Sequence, residues 1–143
     1  MAFHYYEENV KARLDGKRKL SAFLSQKIKE SLPVKKIDIR YVFCNDDFLW
    51  EKNKAFLQHD TLTDIITFDL SEKETALDAE IYISIDRVKE NARHFATSYQ
   101  EELHRVIFHG MLHLCGFKDK TPEEKAIMRQ QEQACLNQYL EAA

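Results

Sequence analysis

Glycine and proline are scarce: three glycines and two prolines in 143 residues. So few chain-breakers exclude collagen-like, Pro-rich and Gly/Ser-linker sequences and leave long regular elements as the default. Cysteine numbers three, Cys44, Cys115 and Cys135, with no CxxC pair. That excludes a disulfide scaffold and suits a reduced, cytoplasmic setting. No apolar run approaches the ~18 residues that span a bilayer, so no membrane partner is expected. The first twenty residues hold no apolar stretch behind a basic start, so no secretory signal is expected either. One domain over residues 1–143 is the expectation for this length.

A strong excess of one charge is also missing. The net charge is −3, which argues against attraction of the whole surface to nucleic acid, and no DNA partner is expected. The distribution is uneven, however. Residues 11–36 carry nine Lys or Arg (among them Lys17, Arg18 and Lys19) against Asp15 and Glu30, a segment charge of +7 that leaves −10 for the remainder. Such asymmetry permits a polyanion-facing patch. It equally suits an amphipathic helix with a lysine-rich solvent face.

What is present reads as alternating strands and helices. Phe3 to Tyr6 is a short aromatic strand. Leu20, Phe23, Leu24, Ile28 and Leu32 recur at helical spacing, and Pro33 stops them. Ile37, Ile39, Tyr41 and Phe43 alternate as a half-buried strand. Asn45 or Asp46 caps a helix from about Asp47 to Leu57. His59 to Asp64 reads as a loop, Ile65 to Leu70 as a strand, Ser71 to Asp78 as a charged loop, and Ala79 to Ile85 as a strand. Asp86 is expected to cap a helix to about Ala96. A long helix runs from Ser98 or Tyr99 to near Cys115. Thr121-Pro122-Glu123-Glu124 starts a last helix to about Leu140: cap, first-turn proline, then acids at the dipole. The order predicts an α+β fold, a small mixed sheet of about four strands packed with about five helices.

The chemistry concentrates in HGMLHLCGFKD, residues 109–119. On a helix, His109 and His113 lie one turn apart on one face and can grip one metal ion. Gly116 falls where the helix should stop in a left-handed turn, which lets the chain return Asp119 as a third ligand. Gly110 costs roughly 1 kcal/mol in a helix interior, and close approach of another backbone would explain it. Glu102, seven residues before His109, projects on nearly the same face. By spacing alone two such histidines can be packing residues, and Glu102 a solvated carboxylate. Cys115 faces away from the histidines and reads as core.

This segment resembles the motif HGxLHLxGYDH of the YbeY family of metal-dependent, single-strand-specific endoribonucleases. His109 and His113 match the first two family histidines, Asp119 falls at the third, and Lys118 at the family Asp. Thr63-Asp64-Ile65-Ile66-Thr67-Phe68 is similar to the family TDVLSF, and Ala79-Glu80-Ile81 to its GDI strand start. The family's helix glutamate matches Glu102. The resemblance spans roughly residues 45–120. It implies one Zn2+ (or another divalent transition metal) on His109, His113 and Asp119, with Glu102 and Asp64 as catalytic candidates. It also implies single-stranded RNA, rRNA and the small ribosomal subunit as partners, with a role in 16S rRNA 3′-end maturation and ribosome quality control. The HExxH glutamate is absent, since Gly110 stands there. The family arginine ahead of TDVLSF is absent too, since Leu57 stands there; Lys54, His59 or the basic segment could replace its phosphate contact. Two rival readings accompany this one: an iron enzyme using two His and one carboxylate, and a ribosome-associated RNA-binding protein with a structural metal.

Overall fold

A computed structural model describes residues 2–57 and 63–141, without the side chains of residues 56 and 57. The elements are β1 (Ala2–Glu7), α1 (Lys17–Ser31), β2 (Lys36–Cys44), α2 (Asp46–Lys52), a π-turn (Asn53–Leu57), β3 (Ile65–Asp69), β4 (Ala76–Ser84), α3 (Ile85–His94), α4 (Tyr99–Leu114) and α5 (Pro122–Glu141). This is the expected α+β arrangement of four strands and five α-helices. The four strands form one sheet in the order β1-β2-β4-β3. β1, β2 and β4 are parallel, and β3 is an antiparallel edge.

Several boundaries differ from the sequence reading. α2, expected to run to about Leu57, ends at Lys52, where the π-turn Asn53–Leu57 takes over. β4 begins at Ala76 rather than Ala79, because residues 76–78 pair in parallel with residues 36–38 of β2. The charges of the segment before Ala79 hid the start of a strand whose outer face is only half-buried. The cap of α3 is Ser84, whose Oγ accepts from Arg87 N at 3.3 Å. Asp86 instead accepts from the Asp46 backbone N–H at 2.9 Å and joins α3 to α2.

Alternation does the packing. Ile37, Ile39, Tyr41 and Phe43 of β2 and Ala79, Ile81 and Ile83 of β4 are buried on the face that receives α1 and α4. α1 contributes Leu20, Leu24 and Ile28. α4 is the central helix, with Leu103, Val106, Ile107, Phe108, Met111 and Leu112 buried. Tyr41 buries its ring beneath α4 and donates its hydroxyl to the Ile107 carbonyl at 3.1 Å. At Gly110 the helix packs tightly against the sheet. A Cβ there would stand 3.1 Å from Ile65 Cδ1 and from both Cδ1 and Cγ2 of Ile81. The close approach expected at this glycine is made by side chains of β3 and β4, not by another backbone. α5 packs along α4 through Met128, Cys135, Leu136 and Tyr139. No helix among the described residues is long and apolar enough to cross a membrane.

Candidate active site

The cleft is built where α4, the start of β3, the turn after α4 and α5 meet. Local signals hold each piece. Ser98 caps α4 by accepting from Glu101 N at 3.0 Å. At the other end Gly116 takes φ +104°, and Phe117 N reaches back to the Leu112 carbonyl at 3.1 Å. That closure satisfies an end carbonyl and turns the chain toward Asp119. Thr121 and Glu124 then form a reciprocal capping box: Glu124 N donates to Thr121 Oγ1 at 3.1 Å and Thr121 N to Glu124 Oε1 at 3.0 Å. α5 therefore starts immediately after the Asp119 turn and runs back along the cleft.

The structure brings His109, His113 and Asp119 to one cavity of about 210 Å³, which Thr63, Asp64, Ile65 and Thr67 also line. His109 Nε2 stands 3.2 Å from Asp119 Oδ2. Its other nitrogen, Nδ1, is 2.7 Å from Glu132 Oε2. His113 is exposed, and its Nδ1 contacts the Phe117 carbonyl at 3.1 Å. Both rings are thus tied at Nδ1, which leaves Nε2 of each for other work. Among the described residues, no three His, Cys, Asp or Glu side chains are gathered as a ready-made metal site. Two ligands of one tetrahedral zinc, each at about 2.0–2.1 Å, stand about 3.3 Å apart. The His109–Asp119 separation matches that edge, and the nitrogen–oxygen donor set suits a divalent transition metal.

A second cavity of about 280 Å³ opens on the other side of His109 and Asp119, lined by Asp64, Glu102, Arg105, Lys125, Arg129 and Glu132 among others. Glu102 is not the solvated carboxylate that spacing alone suggests. It is 4% exposed, and its Oε1 lies 3.8 Å from Arg105 Nε. Burial pushes its carboxyl above the usual range, against the pull of Arg105 and Arg129. Asp64 is raised for the same reason, with His109 opposing. Its backbone carbonyl accepts from Ser84 N at 2.9 Å, and Thr63 Oγ1 donates to the Ile65 carbonyl at 3.3 Å. The Thr63-Asp64 pair therefore also anchors the entry to β3. For His109, burial pulls the imidazole down, but Glu132, Asp64 and Asp119 outweigh it and raise it.

The α5 side of the cleft was not foreseen. Glu132, Arg129 and Lys125, with Arg105 of α4, carry its charge. Glu132 is 5% exposed and sits within the apolar stripe of Met128, Cys135, Leu136 and Tyr139. A carboxylate in the middle of a buried stripe was the available signal, because such a charge needs a partner. The nine cations of residues 11–36 line neither cavity. Lys19 lies over the Tyr139 ring at 4.6 Å and Lys27 binds Gln138 Oε1 at 2.6 Å, both on the far end of α5. Lys54 sits 3.9 Å over the Trp50 ring. His59 and the Leu57 side chain, the positions considered for the phosphate contact, lie outside the described residues.

Carboxylates, a histidine pair and guanidinium groups meet around these two cavities on an α+β scaffold, a set of groups that suits hydrolytic chemistry on a phosphate ester. The family model described as Endoribonuclease YbeY matches residues 4–140. The endoribonuclease YbeY of Parabacteroides distasonis is 43% identical over 136 residues, covering 95% of this chain and 94% of that protein. That of Cytophaga hutchinsonii is 42% identical over 136 residues, covering 93% and 92%. The solution structure of TM1509 from Thermotoga maritima superposes with a TM-score of 0.60 at 27% identity, covering 96% of this chain and 88% of that one. The chain belongs to the YbeY endoribonuclease family and is a nuclease, a hydrolytic enzyme.

Proposed function

We propose that this endoribonuclease cuts unpaired RNA with one divalent transition metal ion, zinc first among them, held by His109, His113 and Asp119. The observation that carries the reading is the 3.2 Å approach of His109 Nε2 to Asp119 Oδ2, with both imidazoles tied at Nδ1. A metal bound there supplies an acidified water and polarises a phosphoryl oxygen. Asp64 and Glu102 line the cleft beside these ligands. A carboxylate partly withdrawn from water is more basic than usual, which suits it to take a proton from attacking water. Arg105, Lys125 and Arg129 provide the positive charge that a phosphate backbone needs in the cleft. The π-turn residues and the basic face of α1 offer further contacts to a longer strand.

The reading assigns the enzyme to 16S rRNA 3′-end maturation and ribosome quality control at the small ribosomal subunit, which is what the YbeY resemblance implies. It also takes the protein as cytoplasmic, since its three cysteines are all free and suit a reducing compartment. The test is metal analysis of purified protein paired with cleavage of single-stranded and duplex RNA. About one transition metal per chain and cleavage confined to unpaired RNA support the reading. Equal metal content in wild type and in a His109→Ala/His113→Ala variant would defeat it. Recovery of iron with oxygen-dependent chemistry would favour an iron site on the same three residues.

A further inference from the structure

We infer that Glu132 is a positioning residue: reaching in from α5, its carboxylate holds the His109 ring so that Nε2, rather than Nδ1, is offered to the metal. The inference deepens the proposed metal site and rests on it.

The geometry divides the carboxylate between two tasks. Oε2 meets His109 Nδ1 at 2.7 Å. Oε1 faces Arg105 Nη1 at 3.8 Å and Arg129 Nη1 at 3.7 Å. The guanidinium groups thus set the carboxylate, and the carboxylate sets the ring. Glu132 shares a buried face of α5 with Met128, Cys135 and Leu136. An ionised carboxylate only accepts hydrogen bonds, so the contact requires the proton on Nδ1. In the neutral ring Nε2 then carries the free lone pair, and a charged acceptor on the far side makes that lone pair a stronger donor. His113 is held differently, by the neutral Phe117 carbonyl at 3.1 Å. A bridge serving only to join α5 to α4 would not need the ring, because Arg105 already contacts both Glu132 and Gln133.

Two substitutions separate positioning from packing. Glu132→Met keeps the stem and removes the acceptor; losing one partner of a buried ion pair destabilises, but Arg105 retains Glu102 and Gln133. Glu132→Gln keeps an acceptor oxygen and removes the charge. The first readout uses metal-free protein, well above the imidazole range, and follows the His109 tautomer by long-range proton–nitrogen correlation. The wild type is expected to hold the Nδ1–H form, Glu132→Gln to retain it, and Glu132→Met to turn to a mixture. The second readout is zinc affinity by chelator competition. Glu132→Met should weaken binding about 10- to 100-fold and Glu132→Gln by a smaller factor, ~3-fold or more. Wild-type zinc affinity in either folded variant, or an unchanged tautomer in Glu132→Met, would overturn the inference. If Glu132→Met does not fold, the Gln variant decides by its affinity. If the wild type binds no zinc at all, the metal reading fails, and the tautomer alone judges the hold of Glu132 on the ring.

Discussion

The two walls of the cleft are built on opposite plans. The α4 wall meets the sheet across a contact so tight that Gly110 has Ile65 and Ile81 where a methyl would go. Its functional groups, His109 and His113, sit on the helix face left over once Leu103, Ile107, Met111 and Leu114 are buried. The α5 wall carries its functional group inside the packing face itself, at Glu132 between Met128 and Leu136. On α4 the two histidines sit where packing leaves room, although Glu102 of the same helix is buried. On α5 the chemistry is part of the packing and is tolerated because Arg105, Arg129 and His109 surround the charge. A helix of the first kind can be changed at its site with little harm to the fold. A helix of the second kind couples site and fold.

The largest expected break in that contrast is functional. His109→Ala/His113→Ala should reduce cleavage of unpaired RNA to background while circular dichroism and the unfolding midpoint stay near wild type. His113 is exposed and His109 half-buried, so little packing is lost, and Glu132 keeps Arg105 and Arg129 beside its charge when the His109 ring is removed. A variant that unfolds would place these histidines in the scaffold rather than the site.

Next in size is Gly110→Ala, which attacks the tight contact of the first wall. Overpacking costs typically about 1–3 kcal/mol, and the better helix propensity of alanine returns at most about 1 kcal/mol. A net loss of roughly 1–2 kcal/mol is expected in denaturant unfolding. A stabilised variant would mean that Ile65 and Ile81 yield freely.

RNA binding sharpens the comparison at the other wall. Arg129 lines the cleft from α5, whereas Lys17, Arg18 and Lys19 lie on α1, away from both cavities. Arg129→Ala should weaken affinity for a short single strand and reduce the salt slope by about 1. Neutralising the three α1 cations should matter only for longer strands. Equal effects on a short oligonucleotide would move the binding surface onto α1.

The smallest effect is one of pH. Burial raises the Asp64 carboxyl, so its contribution is fully present below the usual carboxyl value and is lost as pH rises through the raised one. In chelator-treated protein, Asp64→Asn should therefore gain stability relative to wild type as pH climbs through the carboxyl range, then level off. Thermal unfolding at several pH values checks this; a gap that shrinks with rising pH would reverse the sign.

Much of the fold was legible because its signals are local. Alternation in β2 and β4, capping at Ser98 and Thr121, and the stop at Gly116 each depend on residues within a turn of one another. The charged start of β4 was not, since Asp78 faces outward and its strand identity comes from pairing with β2. Of the site, the HxxxH spacing and the returning Asp119 could be placed along the chain, as could the alignment of Glu102 with His109. The burial of Glu102 could not, because spacing says which side of a helix a residue occupies but not what covers that side.

By itself, then, the sequence determined which residues share a face: His109 with His113, Leu20 with Leu24 and Ile28, Met128 with Glu132 and Cys135. Helical and strand periods are properties of the backbone, so they hold wherever the element goes. Only the tertiary structure decided that Glu132 meets His109, that Arg105 reaches its charge from α4, and that the basic residues of α1 stand apart from the cleft. The pairings of Glu132 with His109 and with Arg105 join residues 23 or more positions apart, and they exist only once α5 is docked along α4. Docking is directed by nondirectional apolar burial, which leaves no mark at the polar positions it brings together.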